Sequence, residues 1–129
     1  MFDIDHFKKI NDTHGHLAGD AVLAAVARVM TETIRAEDVL ARYGGEEFAV
    51  ICREIDLEGA RILGERLRVA VEEERFEHDG KVIPVTVSIG AAVESKVDDA
   101  QAFIAAADAA MYDAKRSGRN RVCIAKDKT

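Results

Sequence analysis

The apolar residues of this chain switch repeatedly between two spacings, and that switching limits the fold to helices laid against a sheet. Val22, Leu23, Val26, Val29, Met30 and Ile34 recur one, three and four residues apart, which draws one stripe along a helix over about 19–35. Alanines at 21, 24, 25 and 27 favour that helix and let it pack closely. Segments 39–43 and 48–52 are strand-like instead. Between them stand Gly44-Gly45-Glu46-Glu47, a hairpin signal in which glycines are expected to supply the turn dihedrals. A second helix is expected over 56–74, with Ala60, Leu63, Leu67 and Val71 on one face. Asp79-Gly80 marks a turn, and 82–93, rich in β-branched residues, reads as one long strand with Pro84 irregular near its start. Phe103, Ile104, Ala107, Ala110 and Met111 place a third long helix at 98–115, and 121–125 closes as a strand. At the front, 1–5 reads as a strand end and 7–13 as a short helix stopping near Gly15. Helices between strands over one sheet give a two-layer α/β (α+β) arrangement.

A chain of 129 residues is one domain with a real core. Its 18 basic against 24 acidic residues, net −6, weigh against a bulk nucleic-acid binder but leave room for a small anionic substrate. A divalent cation can cancel the rest of the repulsion. Cys52 and Cys123 stand alone in apolar runs, so they read as buried strand thiols and not as a disulfide framework. No apolar stretch is long enough to span a membrane and no secretory signal is visible, so the cytoplasm is the default expectation.

Carboxylates come first among the residues that carry chemistry. Asp3 and Asp5 sit at a strand end and are expected to point to opposite sides, so that one of them faces a site. Glu46 and Glu47 lie in the hairpin; if the first strand is its neighbour, two or three hard oxygen ligands converge and suit Mg²⁺. Adjacent glutamates in a loop are also commonly just solvated. Phe7 and Lys8 follow at a helix start, where backbone N–H groups can face an anion. Lys115 and Arg119, four apart at a helix end, either compensate the helix dipole or hold phosphate. Asn11 and Asp20 are either cap residues or a donor–acceptor pair for a guanine edge. His14 and His16 lack the cysteines and spacing of a zinc site, and no Walker-type loop is present.

Four blocks, FDIDHFKKINDTHGHLAGDAVL, RAEDVLARYGGEEFAV, VTVSIGAA and ADAAMYDAKRSGRNRV, occur in order and cover nearly all of the chain. Together they resemble the GGDEF family of bacterial diguanylate cyclases, here with the Gly-Gly-Glu-Glu-Phe variant. The resemblance implies a nucleotide-cyclase or ferredoxin-like palm with a central, mostly antiparallel sheet and flanking helices. It implies condensation of two GTP into cyclic di-GMP with release of two pyrophosphates, using Mg²⁺ or Mn²⁺. By the same resemblance Asp3, Glu46, Glu47 and the Ile4 carbonyl hold metal, and Glu47 serves either the metal or activation of the attacking 3′-hydroxyl. Asn11 and Asp20 read guanine; Lys8, Lys115, Arg119 and the backbone around His6 and Phe7 hold phosphates; Asp5 is structural. Arg35 and Asp38 form the Arg-x-x-Asp site that binds product and inhibits. A homodimer is implied for catalysis, with cyclic di-GMP as the product ligand.

Against the family pattern, the sequence is expected to be an N-terminally incomplete domain over 1–129. A first helix, an Asp-x-Leu-Thr-Gly-Leu-type motif and the body of the first strand would lie upstream, together with a sensor or receiver domain and any membrane anchor. The expected consequence is lower stability or activity than a full domain. Three readings follow: an enzyme, a GTP- or cyclic di-GMP-binding module with weak or no turnover, and a structural domain, which would leave the acidic loop and its basic companions unexplained.

Overall fold

The three long apolar stripes become helices that enter on aspartate caps or on glycine. Gly15, at φ 92°, breaks the chain between α1 (Phe7–His14) and α2 (His16–Thr33), a conformation that a side chain would resist. Asp56 accepts from the Gly59 N–H at 2.7 Å and starts α3 (Leu57–Glu73). Asp99 accepts from the Ala102 N–H at 3.1 Å and starts α4 (Ala100–Arg116). The computed structural model describes residues 1–94 and 99–125. The expected start of the last helix at Asp98 lies outside the described residues.

Among the described residues there are also seven strands: β1 (Phe2–Ile4), β2 (Val39–Arg42), β3 (Glu47–Ile51), β4 (Phe76–His78), β5 (Lys81–Ile83), β6 (Val87–Ala91) and β7 (Arg121–Ile124). Five form one mixed sheet in the order β2-β3-β1-β6-β7, with only β6 and β7 parallel. β1 is short but central, antiparallel to β3 on one side and β6 on the other. The α+β class with a mostly antiparallel central sheet and flanking helices is therefore as expected.

The long strand expected over 82–93 is not continuous. β5 turns back through Asp79-Gly80 to pair with β4 as a separate two-stranded sheet, and β6 joins the main sheet only after Pro84 and Val85. Pro84 has no N–H for a ladder, so the β-branched run divides there. Cys52 and Cys123 are half-buried, not fully buried: Cys52 lies just past β3 and Cys123 lies in the edge strand β7.

The two sheet faces carry different helices. A Cβ on Gly90 of β6 would run into the α4 backbone, 2.7 Å from the Ala110 carbonyl carbon. Its neighbour Ile89 faces the other way, toward Gly64 of α3, where Val122 of β7 also packs. Phe2, Ile4, Phe48, Val87 and Ile89 form the core on the α3 face with Val22, Val26 and Met30 of α2 and Leu63, Leu67 and Val71 of α3. The Phe2 and Phe48 rings stack at 5.2 Å. The opposite face, beside α4, is polar at its centre, and the carboxylates stand there.

Candidate active site

Asp3 lies opposite Glu47 on one neighbouring strand and Ser88 on the other. Directly opposed residues in an antiparallel ladder share a face, so Asp3, Glu47 and Ser88 project to the α4 side. Residues two apart in a strand also share a face, so the expectation that Asp3 and Asp5 point to opposite sides is wrong. What separates them is the end of β1 at Ile4. Asp5 then folds back and accepts from the Thr86 hydroxyl at 2.7 Å, the Ser88 hydroxyl at 2.6 Å and the Asn120 N–H at 3.0 Å.

Asp3 is 2% exposed. Its Oδ2 accepts from Lys115 Nζ at the end of α4, while Oδ1 is buried with no hydrogen-bond partner. Burial raises the Asp3 pKa, more than the hydrogen bond and charge of Lys115 lower it. Glu46 and Glu47 are half-buried beside it. Burial first, then the Asp3 charge, raises both above the ordinary carboxylate value; Asp108 of α4 adds to the effect on Glu47 and Lys115 opposes it on both. Asp3 makes both glutamates harder to ionise, and with one partial counter-charge the three carboxylates form a site short of positive charge.

The glycines of the hairpin do not act as expected. Neither Gly44 nor Gly45 has a positive φ, so the turn does not demand them for its dihedrals. A Cβ on Gly45 would touch nothing within 4 Å. What the pair provides is bare backbone beside two glutamates. The loop is held from within: Tyr43 and Gly44 N–H groups donate to the Glu47 carbonyl at 2.8 and 3.1 Å. Arg42 donates to the Gly44 and Gly45 carbonyls at 3.2 and 2.6 Å. Sequence reasoning missed Arg42 and Asp108, since neither lies in a motif block's polar core. The Ile4 N–H donates to the Glu46 carbonyl at 3.4 Å, which sets the Ile4 backbone beside the loop.

His6 takes a left-handed conformation, φ 54°, to turn β1 into α1. The first turn of α1 has no side-chain cap and no acidic residue. The N–H groups of Phe7 and Lys8 are therefore among those left for an outside acceptor. Farther along α1, Asn11 packs its buried amide on Gly19, where any Cβ would fall 2.9 Å from Asn11 Cγ, and the amide oxygen has no partner. Asp20 is exposed at the rim of an open depression of about 400 Å³ floored by Leu23, Leu40 and Phe48. Arg42 lines the same depression, which joins it to the acidic loop. Arg119 is exposed in the turn after α4, at φ 64°.

Arg35 and Asp38 are separate from this constellation, at the opposite end of β2 from the acidic loop. The Arg35 N–H and Nε donate to Asp38 Oδ2 at 2.9 and 3.3 Å, and Nη2 donates to Oδ1 at 3.2 Å. Burial pushes Asp38 up, but these bonds and the charge outweigh it and hold its pKa below the ordinary value. Burial and the same aspartate raise the Cys52 thiol nearby.

Among the described residues, no three His, Cys, Asp or Glu side chains stand close enough to make a ready metal cage. The donors fit a hard divalent cation all the same. Asp3 Oδ1 is buried and unpartnered, Glu47 stands in register with it, and all the side-chain donors are carboxylate oxygens. Asp3, Glu46, Glu47 and Lys115 are thus brought together, with the α1 amides leading off the same strand end.

Fold and site together define an α+β domain with an acidic centre at the strand ends of its sheet and a lysine as its internal counter-ion. Residues 1–121 match the family described as diguanylate cyclase, GGDEF domain, and the chain belongs to that family. It is 45% identical over 128 residues to diguanylate cyclase A of Treponema denticola, covering 98% of this chain and 34% of that protein, about a third of its length. The GGDEF domain of DgcB from Caulobacter crescentus in complex with c-di-GMP superposes with a TM-score of 0.91 at 38% identity, over 98% of this chain and 75% of that one. The active GGEEF domain of a diguanylate cyclase from Vibrio cholerae gives 0.88 at 34% identity, over 98% and 81%.

Proposed function

We propose that this domain is the catalytic domain of a diguanylate cyclase, joining two GTP into cyclic di-GMP and releasing two pyrophosphates. The observation that carries the reading is the buried Asp3, with one oxygen unpartnered, set in register with Glu47 of a Gly-Gly-Glu-Glu-Phe loop. Family membership and the likeness to an active GGEEF domain support it.

Asp3, Glu46, Glu47 and the Ile4 carbonyl would hold Mg²⁺ or Mn²⁺, which when bound neutralises the phosphates and the leaving pyrophosphate. Lys8, Lys115, Arg119 and the Phe7 and Lys8 N–H groups bind the phosphate chain. Asp20 at the rim and Asn11 behind it read the guanine edge above an apolar floor. Glu47, its pKa raised by burial and by Asp3, is suited to take the proton of the attacking 3′-hydroxyl. The new bond joins that oxygen to an α-phosphorus while the bond to the β-phosphate bridge breaks. One domain presents one GTP, so two domains must face each other across a two-fold axis. Arg35 and Asp38 form a product site whose occupation holds two domains apart. In the whole protein, further regions of a sensor or receiver kind set how often the domains meet, and GTP supply places the domain in the cytoplasm. None of the described helices is long and apolar enough to cross a membrane.

The test is calorimetric titration with a non-reacting GTP analogue. Binding is expected to require Mg²⁺ and to fall at least about tenfold in Glu46→Gln. Metal-independent binding, indifferent to that substitution, would contradict the reading. A second reading, a cyclic di-GMP-binding module with weak turnover, is favoured by the preassembled Arg35–Asp38 pair and gives product binding without product formation.

A further inference from the structure

The turn that carries Arg119 is tied down more tightly than a surface loop needs. Gly118, Arg119 and Asn120 all have positive φ, at 129°, 64° and 46°. Two of these three are not glycine, so local preference alone would not choose the turn. Five hydrogen bonds fix it. The Arg119 N–H donates to the Ala114 carbonyl at 2.9 Å, and Arg121 Nε donates to the Arg119 carbonyl at 3.0 Å. The Asn120 N–H donates to Asp5 Oδ2 at 3.0 Å. The Asn120 side chain accepts from Arg68 Nη1 at 3.0 Å and donates to Glu72, both on α3.

Asp5 is 4% exposed and accepts three hydrogen bonds, two from hydroxyls of the β6 region and one from this turn. Hydroxyls reorient to suit a neighbour, but a backbone N–H has one direction. The bond to Asn120 is therefore the member of the set that fixes geometry. It ties the turn after α4 to the residue just past β1, two positions after Asp3. One buried carboxylate thus sets the distance between the strand end and the arginine.

We propose that Asp5 and Asn120 are positioning residues for Arg119, clamping its turn so that the guanidinium is presented to the phosphate end of the site. The proposal rests on the reading of Arg119 as a phosphate ligand. Neither Asp5 nor Asn120 touches substrate in this scheme. Both act by keeping Arg119 in one backbone conformation, so their effect on affinity must vanish when the arginine is gone.

The experiment is a double-mutant cycle read by titration with Mg²⁺ and a non-reacting GTP analogue on the full chain. D5A is expected to weaken binding about tenfold, and N120G about threefold; the latter keeps the left-handed turn and its N–H but releases α3. In the R119A background neither change is expected to weaken binding further. I83A, a core truncation in the separate β4–β5 sheet, is the control for lost stability and is expected to leave affinity unchanged. If D5A does not fold, the N120G arm of the cycle decides alone. Losses that add fully to that of R119A, or an equal loss in I83A, would overturn the proposal and leave the phosphate role of Arg119 standing. R119A binding like the unmodified chain would overturn that role and the proposal together.

Discussion

Lys115 donates from Nζ to Oδ2 of Asp3, joining residues 112 positions apart, and leaves the other oxygen of a buried carboxylate without a partner. The lysine side chain is 24% exposed and the aspartate 3%. Lys115 is therefore the internal counter-ion of a site that lacks positive charge, and a bound cation would compete with it for Asp3. Lys115→Ala is expected to cost about 2 kcal/mol, below the usual range for breaking a buried pair because the lysine is partly solvated. Urea denaturation measures this, and Mg²⁺ is expected to restore part of the loss. A loss that Mg²⁺ does not touch would argue against a cation at Asp3.

Titration of the acidic centre gives a second expectation. Asp3, Glu46 and Glu47 have folded pKa values above their unfolded ones. Their contribution to stability is thus complete below the ordinary carboxylate range and is lost as pH rises through the raised values. Glu46→Gln removes one of the repelling charges. The metal-free variant should melt about 2 °C higher near pH 7 and indistinguishably from the parent near pH 4. The same difference at both pH values would mean that charge is not its cause.

Asp38 has the opposite sign. Its folded pKa is depressed, so its contribution is present above the ordinary carboxylate value and is lost as pH falls through the folded one. Arg35→Ala leaves the buried Asp38 with only the backbone N–H of residue 35 and no counter-charge, and is expected to lower stability near pH 7, an effect that fades in acid. Cyclic di-GMP binding should fall at least about tenfold while affinity for the GTP analogue stays unchanged. Parallel loss of both ligands would remove the case for a separate product site.

Two glycines separate packing from chemistry. Gly90→Ala drives a methyl into the backbone of α4 and is expected to cost about 3 kcal/mol, read by urea denaturation. Gly45→Ala meets open space at an ordinary φ and should leave the melting midpoint within about 1 °C. It should nonetheless weaken GTP-analogue binding about tenfold, because the methyl stands where the ligand approaches. An unaffected affinity would show that the loop's bare backbone has no such use.

Much of the fold could be read from residue spacing, because α2, α3 and α4 each bury a stripe and two of them start on an aspartate cap. The error at 82–93 has a physical source. The single strand was expected because β5 and β6 are equally β-branched, and only Pro84, with no N–H to donate, marks where one sheet stops and another begins. The Gly44-Gly45 pair was legible as a hairpin but not in its purpose, since glycine in a turn and glycine beside a ligand look alike in sequence. Asp3, Glu46 and Glu47 were legible through their motif. Their companions were not: the acceptors and donors that fix Asp5 are 81 to 115 residues away, and no local pattern pairs Thr86 and Asn120 with it. Arg42 was hidden for another reason, because its role is to hold two carbonyls that the sequence does not display.

The central claim is that carboxylates gathered around Asp3 turn GTP into cyclic di-GMP, and it is tested most directly by incubating the chain with GTP and Mg²⁺ and separating the nucleotides. Cyclic di-GMP and pyrophosphate are expected in a 1:2 ratio, by the stoichiometry of the proposed reaction. Both should be reduced at least about a hundredfold in Glu47→Gln, in keeping with the loss of a proton acceptor. GTP left intact by the unmodified chain, while cyclic di-GMP binds tightly at Arg35 and Asp38, would contradict the account and leave a receptor for the dinucleotide in its place.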